Sequence, residues 1–252
     1  MTTRILTVSA LAIMALSPLV TTTAQAEDAA FSADQTKEII SILEKHLQDK
    51  PDIVIDAIKK FEENEQAAEE QKAKASITDN LAKLNAADLP SFGNPDGDVT
   101  VVEFFDYNCG YCKRAVPDIQ KITAKDKNVR FVFQEMPILG PSSRTAAQYA
   151  LAAHKQGKYF DYHAALMKAR GQKNAASLEK IGKTLGLDVD QLKADAKSAE
   201  VKQQIEDSIT LASTICIRGT PAFIVDGKLF RGYLGPDGLQ DEINKSRESK
   251  DK

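Results

Sequence analysis

Three side chains in this 252-residue sequence can carry thiol chemistry, and two of them stand together in Cys109-Gly110-Tyr111-Cys112. Where such a pair opens a helix, the second sulfur sits one turn beyond the first, a separation that suits a disulfide. The first Cys then caps the helix and faces its free backbone N–H groups and the positive end of its dipole, which favour thiolate. Thiolate is the attacking species in thiol–disulfide exchange. Cys109 is therefore the candidate nucleophile, and Cys112 the buried thiol that resolves the mixed disulfide. Two blander alternatives stay open on the residues alone, an inert stapling disulfide and half of a zinc site. Zinc needs a second ligand pair, and His46, His154, His163 and Cys216 offer no close one. Neither a metal nor a cofactor is expected. Cys216, the odd thiol, precedes Pro221 at the edge of an apolar strand and reads as a small buried hydrophobe. His163, within Tyr159-Phe160-Asp161-Tyr162-His163, is expected to pack rather than to catalyse.

The elements around the pair have the right order to position it. Val99 to Phe105 is β-branched and aromatic and reads as a buried strand. A helical pattern follows through Val116, Ile119 and Ile122, with a kink expected at Pro117. Val129 to Gln134 is a second strand, so strand, helix and strand give the unit of a parallel pair. From Pro141 to about Ile215 the pattern is helical, with Gly186 as a C-cap. A third strand, Thr220 to Val225, reaches the Asp226-Gly227 hairpin turn, and Leu229 to Arg231 is the fourth. A closing helix is expected from Pro236 to about Ser246, with the charged residues after it fraying.

Residues 27–92 have another character. Ser32 and Gln35 have capping-box spacing, and Ile39, Ile40, Leu43 and Leu47 mark one helical face. Pro51 suits the start of a second helix, whose apolar opening, Ile53 to Phe61, gives way to Glu, Gln, Lys and Ala. A helix so polar in its middle reads as a stalk, and its apolar start as a contact with the same segment of another subunit. The turn cluster Gly93 to Asp98 sets the expected boundary, with a helical segment over 27–92 and a second domain over 93–252. Ahead of both, Arg4, an apolar run from Ile5 to Val20 and the exit Ala24-Gln25-Ala26 read as a secretory signal cleaved after Ala26. That places the mature protein where disulfides persist. A net charge of −3 gives no electrostatic case for nucleic acid, and none is expected as a partner.

The run Glu103-Phe104-Phe105-Asp106-Tyr107-Asn108-Cys109-Gly110-Tyr111-Cys112 resembles the active-site segment of the DsbA family of periplasmic thiol–disulfide oxidoreductases. Gly219-Thr220-Pro221-Ala222-Phe223 resembles that family's second motif, and the stretch over about 138–215 its helical insertion into a thioredoxin fold. The resemblance covers roughly residues 93–247. It implies an α/β thioredoxin fold with a large helical insertion, here preceded by an N-terminal helical extension. It implies a redox-active disulfide between Cys109 and Cys112, and a cis bond before Pro221 with its loop against the Cys109 sulfur. It also implies that Thr220 offers its backbone to an extended substrate, beside Tyr111. Glu103 matches the family's buried acid, which would have a raised pKa and could take the Cys112 proton.

The sequence departs from the family in Gly110-Tyr111, where Pro-His is usual, and Tyr111 cannot carry positive charge. Gly-Tyr, with Thr before the cis-Pro, is similar instead to DsbC-type isomerases, and the N-terminal extension to the ScsC group. The expectation is an oligomeric periplasmic disulfide isomerase or reductase, joined through residues 27–92. Its substrates would be unfolded or misoxidised secreted proteins, and a membrane thiol–disulfide partner would keep the pair reduced. Two alternatives are a DsbA-like oxidase and, from another class, a copper-binding or chaperone-like module.

Overall fold

A computed structural model describes residues 31–250; the expected signal segment lies outside the described residues. Its contacts divide the chain at Lys60/Phe61, inside the second helix. The first unit contains α1 (Ala33–Asp49), opened by the expected capping box: Ser32 Oγ accepts from Gln35 N–H (3.2 Å) and Gln35 Oε1 from Ser32 N–H (2.8 Å). No residue of α1 is buried. α2 (Asp52–Asp79) starts one residue after Pro51, and its opening apolar side chains Ile53, Val54, Ile55 and Ile58 are exposed.

The second unit is built on a five-stranded sheet in the order β1-β3-β2-β4-β5. β2 (Val99–Phe105) and β3 (Val129–Glu135) are parallel and joined by α4 (Gly110–Lys125), which runs through Pro117. β4 (Ala222–Val225) lies antiparallel to β2, and β5 (Lys228–Arg231) antiparallel to β4 across the Asp226-Gly227 turn, where both residues have positive φ. Five helices, α5 to α9, fill Pro141–Thr214 between β3 and β4, and Gly186 has φ +74° at the end of one of them. This is the thioredoxin-type sheet with a helical insertion that the motifs imply.

β2 is buried nearly throughout because both faces of the sheet are covered. Val99, Val101, Phe105, Phe131 and Phe133 join side chains of α4, the insertion and the last helix, α10 (Gly235–Lys250), in one core. Val102, Phe104, Val132 and Ile224 join Ile77, Leu84, Leu211 and Ile215 in the other.

That second core explains the first departure from expectation. Ala73, Ile77 and Leu84 are buried, so the chain divides at 60/61 and not at the turn cluster after residue 92. A short strand, β1 (Ser91–Gly93), also pairs antiparallel with β3, at the end of the segment expected to be helical. The C-terminus departs too. α10 reaches Lys250 instead of fraying after Ser246, because Arg247 bonds the carboxylates of both Asp98 and Asp126.

Candidate active site

The site forms at one end of the sheet, and topology puts its halves together. β2 ends at Phe105 and releases the chain into the turn before α4. Because β4 is antiparallel to β2, its first residue, Ala222, lies opposite Phe104 at that same end. The cysteine turn and the residues before β4 must therefore meet. Thr220-Pro221 is cis, and the Cys109 thiol donates to the Thr220 carbonyl (3.3 Å).

Cys109 is the N-cap of α4, and its sulfur accepts the Cys112 N–H (3.4 Å). Negative charge on this sulfur would face a helix-end N–H that has no partner within the helix. All three cysteines are free thiols and buried. Cys112 is fully buried one turn into α4. Burial, the neighbouring Glu103 charge and its hydrogen bond with Cys109 all push the Cys112 thiol far above the usual range.

Glu103 is 1% exposed, in register with Phe133 on one side and Phe223 on the other. Neither carboxyl oxygen has a hydrogen-bond partner. Burial, and then the Cys109 charge, raise its pKa to about 8. A group of this kind can exchange a proton near neutral pH.

Tyr111 is the exposed member of the motif, at 54%, with the Arg114 guanidinium 4.9 Å from its ring centre and the Tyr233 ring beside it. Cys216 follows the last turn of α9 (Ala199–Thr214). Cys216 N–H reaches the Ser213 carbonyl and Ile217 N–H the Ala212 carbonyl, a Schellman ending with Cys216 at φ +61° where Gly is usual. Among the described residues no group of His, Cys, Asp and Glu could hold a metal ion.

Two acidic residues were missed by sequence reasoning. Asp106, buried, ties down the cysteine turn: its carboxylate accepts from Asn108 N–H (2.7 Å), Leu139 N–H (2.9 Å) and Ser143 Oγ (2.7 Å), and its carbonyl from Cys109 N–H (3.0 Å). Asn108 is held in turn by Ser142, Ser143 and Lys173. Glu135, at the end of β3, is a second buried carboxyl. The signal that could have found both is an acid at the end of an apolar strand pattern.

The geometry has counterparts among known proteins. A family model described as a DSBA-like thioredoxin domain matches residues 100–244. A thioredoxin-like oxidoreductase from Silicibacter pomeroyi is 45% identical, with a TM-score of 0.64, over 66% of this chain and 97% of its own. ScsC of Proteus mirabilis in a transitional conformation is 27% identical, with a TM-score of 0.63, over 85% of this chain and 98% of its own. Among curated sequences, a Na(+)/H(+) antiporter NhaA 1 from Salinispora arenicola is 29% identical over 149 residues, which are 58% of this chain and 23% of the relative. The chain thus spans about a quarter of the length of the curated relatives it first matches. With a model match over more than half its length, a thiol pair capping a helix and a cis-Pro loop at the first sulfur, the chain belongs to the DSBA-like thioredoxin family of thiol–disulfide oxidoreductases.

Proposed function

We propose that this protein is a periplasmic disulfide isomerase or reductase that works as an oligomer on misoxidised secreted proteins. The observation that carries the chemistry is the seat of Cys109 Sγ, between the Cys112 N–H and the Thr220 carbonyl. Cys109 as thiolate attacks a substrate disulfide, and an S–S bond forms to the near substrate sulfur while the far one leaves as thiolate. In isomerisation, another substrate thiolate attacks that near sulfur and regenerates the Cys109 thiolate, with no net electron transfer. In reduction, Glu103 takes the proton of Cys112, which attacks Cys109 Sγ and expels the second substrate thiolate. The enzyme then holds the Cys109–Cys112 disulfide and has delivered two electrons, which a membrane thiol donor must replace. Thr220 and Pro221 receive an extended substrate segment, and Tyr111 offers it an exposed ring.

Support for isomerase over oxidase comes from two features. Gly110-Tyr111 places no cation beside Cys109 to favour its thiolate strongly, which makes the disulfide less oxidising. The apolar face of α1 is exposed and suits a second copy of the chain. The signal-like first 26 residues support the compartment, and among the described residues no helix is long and apolar enough to cross a membrane. The deciding experiment is refolding of a scrambled disulfide substrate. Native activity should return when catalytic amounts of reduced protein are added. Fast oxidation of reduced substrate without unscrambling would make the protein an oxidase. A Cys112→Ser variant should accumulate mixed disulfides through Cys109, and trapping none would remove the catalytic reading.

A further inference from the structure

Behind the cysteine turn lies a polar chain inside an aromatic cage. Glu135 Oε1 is 3.0 Å from the Tyr107 hydroxyl and 2.8 Å from that of Tyr159. The Tyr107 oxygen is also 3.2 Å from His163 Nδ1. All four side chains are buried, and Glu135 Oε2 and His163 Nε2 have no partner. Tyr107 stands two residues before Cys109, in the turn that presents the thiol. Glu135 stands two positions along β3 from Phe133, the register partner of Glu103, so both carboxyls share one face of the sheet.

The hydrogens can be placed in two ways. With Glu135 ionised, both phenols donate to it, His163 Nδ1–H donates to Tyr107, and Oε2 remains an unpaired charged oxygen in an apolar cage. With Glu135 protonated on Oε2, both phenols still donate to Oε1 and His163 Nδ1–H donates to the Tyr107 oxygen. The second arrangement leaves no buried charge, and burying an unpaired charge is the costlier error. The charged and titratable neighbours agree. They are Asp106 and Glu103, both acidic, with Tyr107, Tyr159 and His163, and His154 edge-on beyond Tyr159. Burial lowers the His163 pKa to about 3, so the imidazole is neutral and supplies no counter-charge. Burial, Asp106 and Glu103 hold the Glu135 carboxyl well above its usual range against the opposing pull of two phenols.

We propose that Glu135 is a positioning residue of the thiol site: a carboxylic acid that keeps its proton and, through Tyr107 and His163, fixes the turn that presents Cys109. The assignment rests on the oxidoreductase reading and extends it. A neutral Glu135 leaves Glu103 as the acid on this sheet face that changes charge as thiols exchange. An ionised Glu135 would oppose that ionisation and raise Glu103 further.

Two measurements on the full chain test this. The first is kcat/KM for reduction of a peptide disulfide across pH. Glu135→Leu should lower it about 10-fold or more, since small misplacements of reacting groups are that costly. Glu135→Gln, neutral and still an acceptor for both phenols, should restore most of the loss and leave the midpoint of the pH profile in place. If Glu135→Leu does not fold, Tyr107→Phe removes one oxygen from the same chain and should show the same loss. A shifted midpoint in Glu135→Gln would mean that Glu135 carries charge, and an undiminished rate in Tyr107→Phe would mean that the chain positions nothing; either overturns the assignment. The second measurement needs no activity. In a Glu103→Gln background at pH 7, infrared spectra should show a protonated-carboxyl C=O band that disappears on adding Glu135→Gln. Its absence from the start overturns the assignment even if exchange is fast. A wild-type protein inactive at every pH, with that band still present in the Glu103→Gln background, would instead sink the oxidoreductase reading alone.

Discussion

Glu103 combines burial, two unpartnered oxygens and a pKa near 8, which in the proposed mechanism would set stability and activity against each other. In the unfolded chain its pKa returns to about 4.5. Between those values the folded protein binds more protons than the unfolded one, so stability must fall as pH rises through the window. At about 1.4 kcal/mol per pH unit, the cost reaches roughly 3 kcal/mol at pH 7. Glu103→Gln should flatten that slope in reduced protein and raise the denaturation midpoint at pH 7. The same variant should slow release of mixed disulfide by about 10²-fold, the usual weight of a positioned acid–base group. Chemical denaturation at pH 5, 7 and 8.5 with stopped-flow exchange gives both signs, and a variant less stable at pH 7 contradicts the assigned pKa.

At the scale of elements, the end of α2 and the short helix α3 (Leu81–Leu84) belong to the second unit, since Ile77 and Leu84 seal the second face of the sheet. Ile77→Ala should cost about 2–5 kcal/mol, as truncating a fully buried large side chain does. A truncation starting at Phe61 should keep the denaturation midpoint of the parent unit, whereas one starting at Gly93 should lose cooperative unfolding. Equal midpoints for the two truncations would show that the second core is dispensable. These contacts mark where the sequence was hard to read. Ile77 and Leu84 have helical spacing in the sequence, but that spacing cannot say which sheet face they cover. β1 is three residues long and exists through its pairing with β3, which no local signal encodes. The last turns of α10 looked like a charged tail because Asp98 and Asp126, the partners of Arg247, are remote in sequence. Strands rich in β-branched and aromatic residues, the Asp226-Gly227 turn and the cysteines at a helix start were legible because their causes are local.

At the scale of the whole molecule, isomerase activity requires that a substrate be held while its disulfides are tried in turn. One thiol site releases each substrate after a single encounter, whereas linked copies raise the effective concentration of the next site. In the oligomer proposed above, the apolar start of α2, Ile53 to Phe61, exposed in a single chain like Ile39, Ile42 and Leu43 of α1, would link the copies. The solution mass of residues 27–252 should therefore be a multiple of the chain mass, and that of a chain starting at Phe61 should equal one chain. The shortened protein should still reduce small peptide disulfides, because Cys109, Cys112, Glu103 and the Pro221 loop all lie in the second unit. It should lose unscrambling of a protein substrate, since only the linkage has gone. A single-chain mass for both forms would end the oligomeric reading. Undiminished unscrambling by the shortened chain would show instead that one thioredoxin unit suffices, and that α1 serves something other than isomerisation.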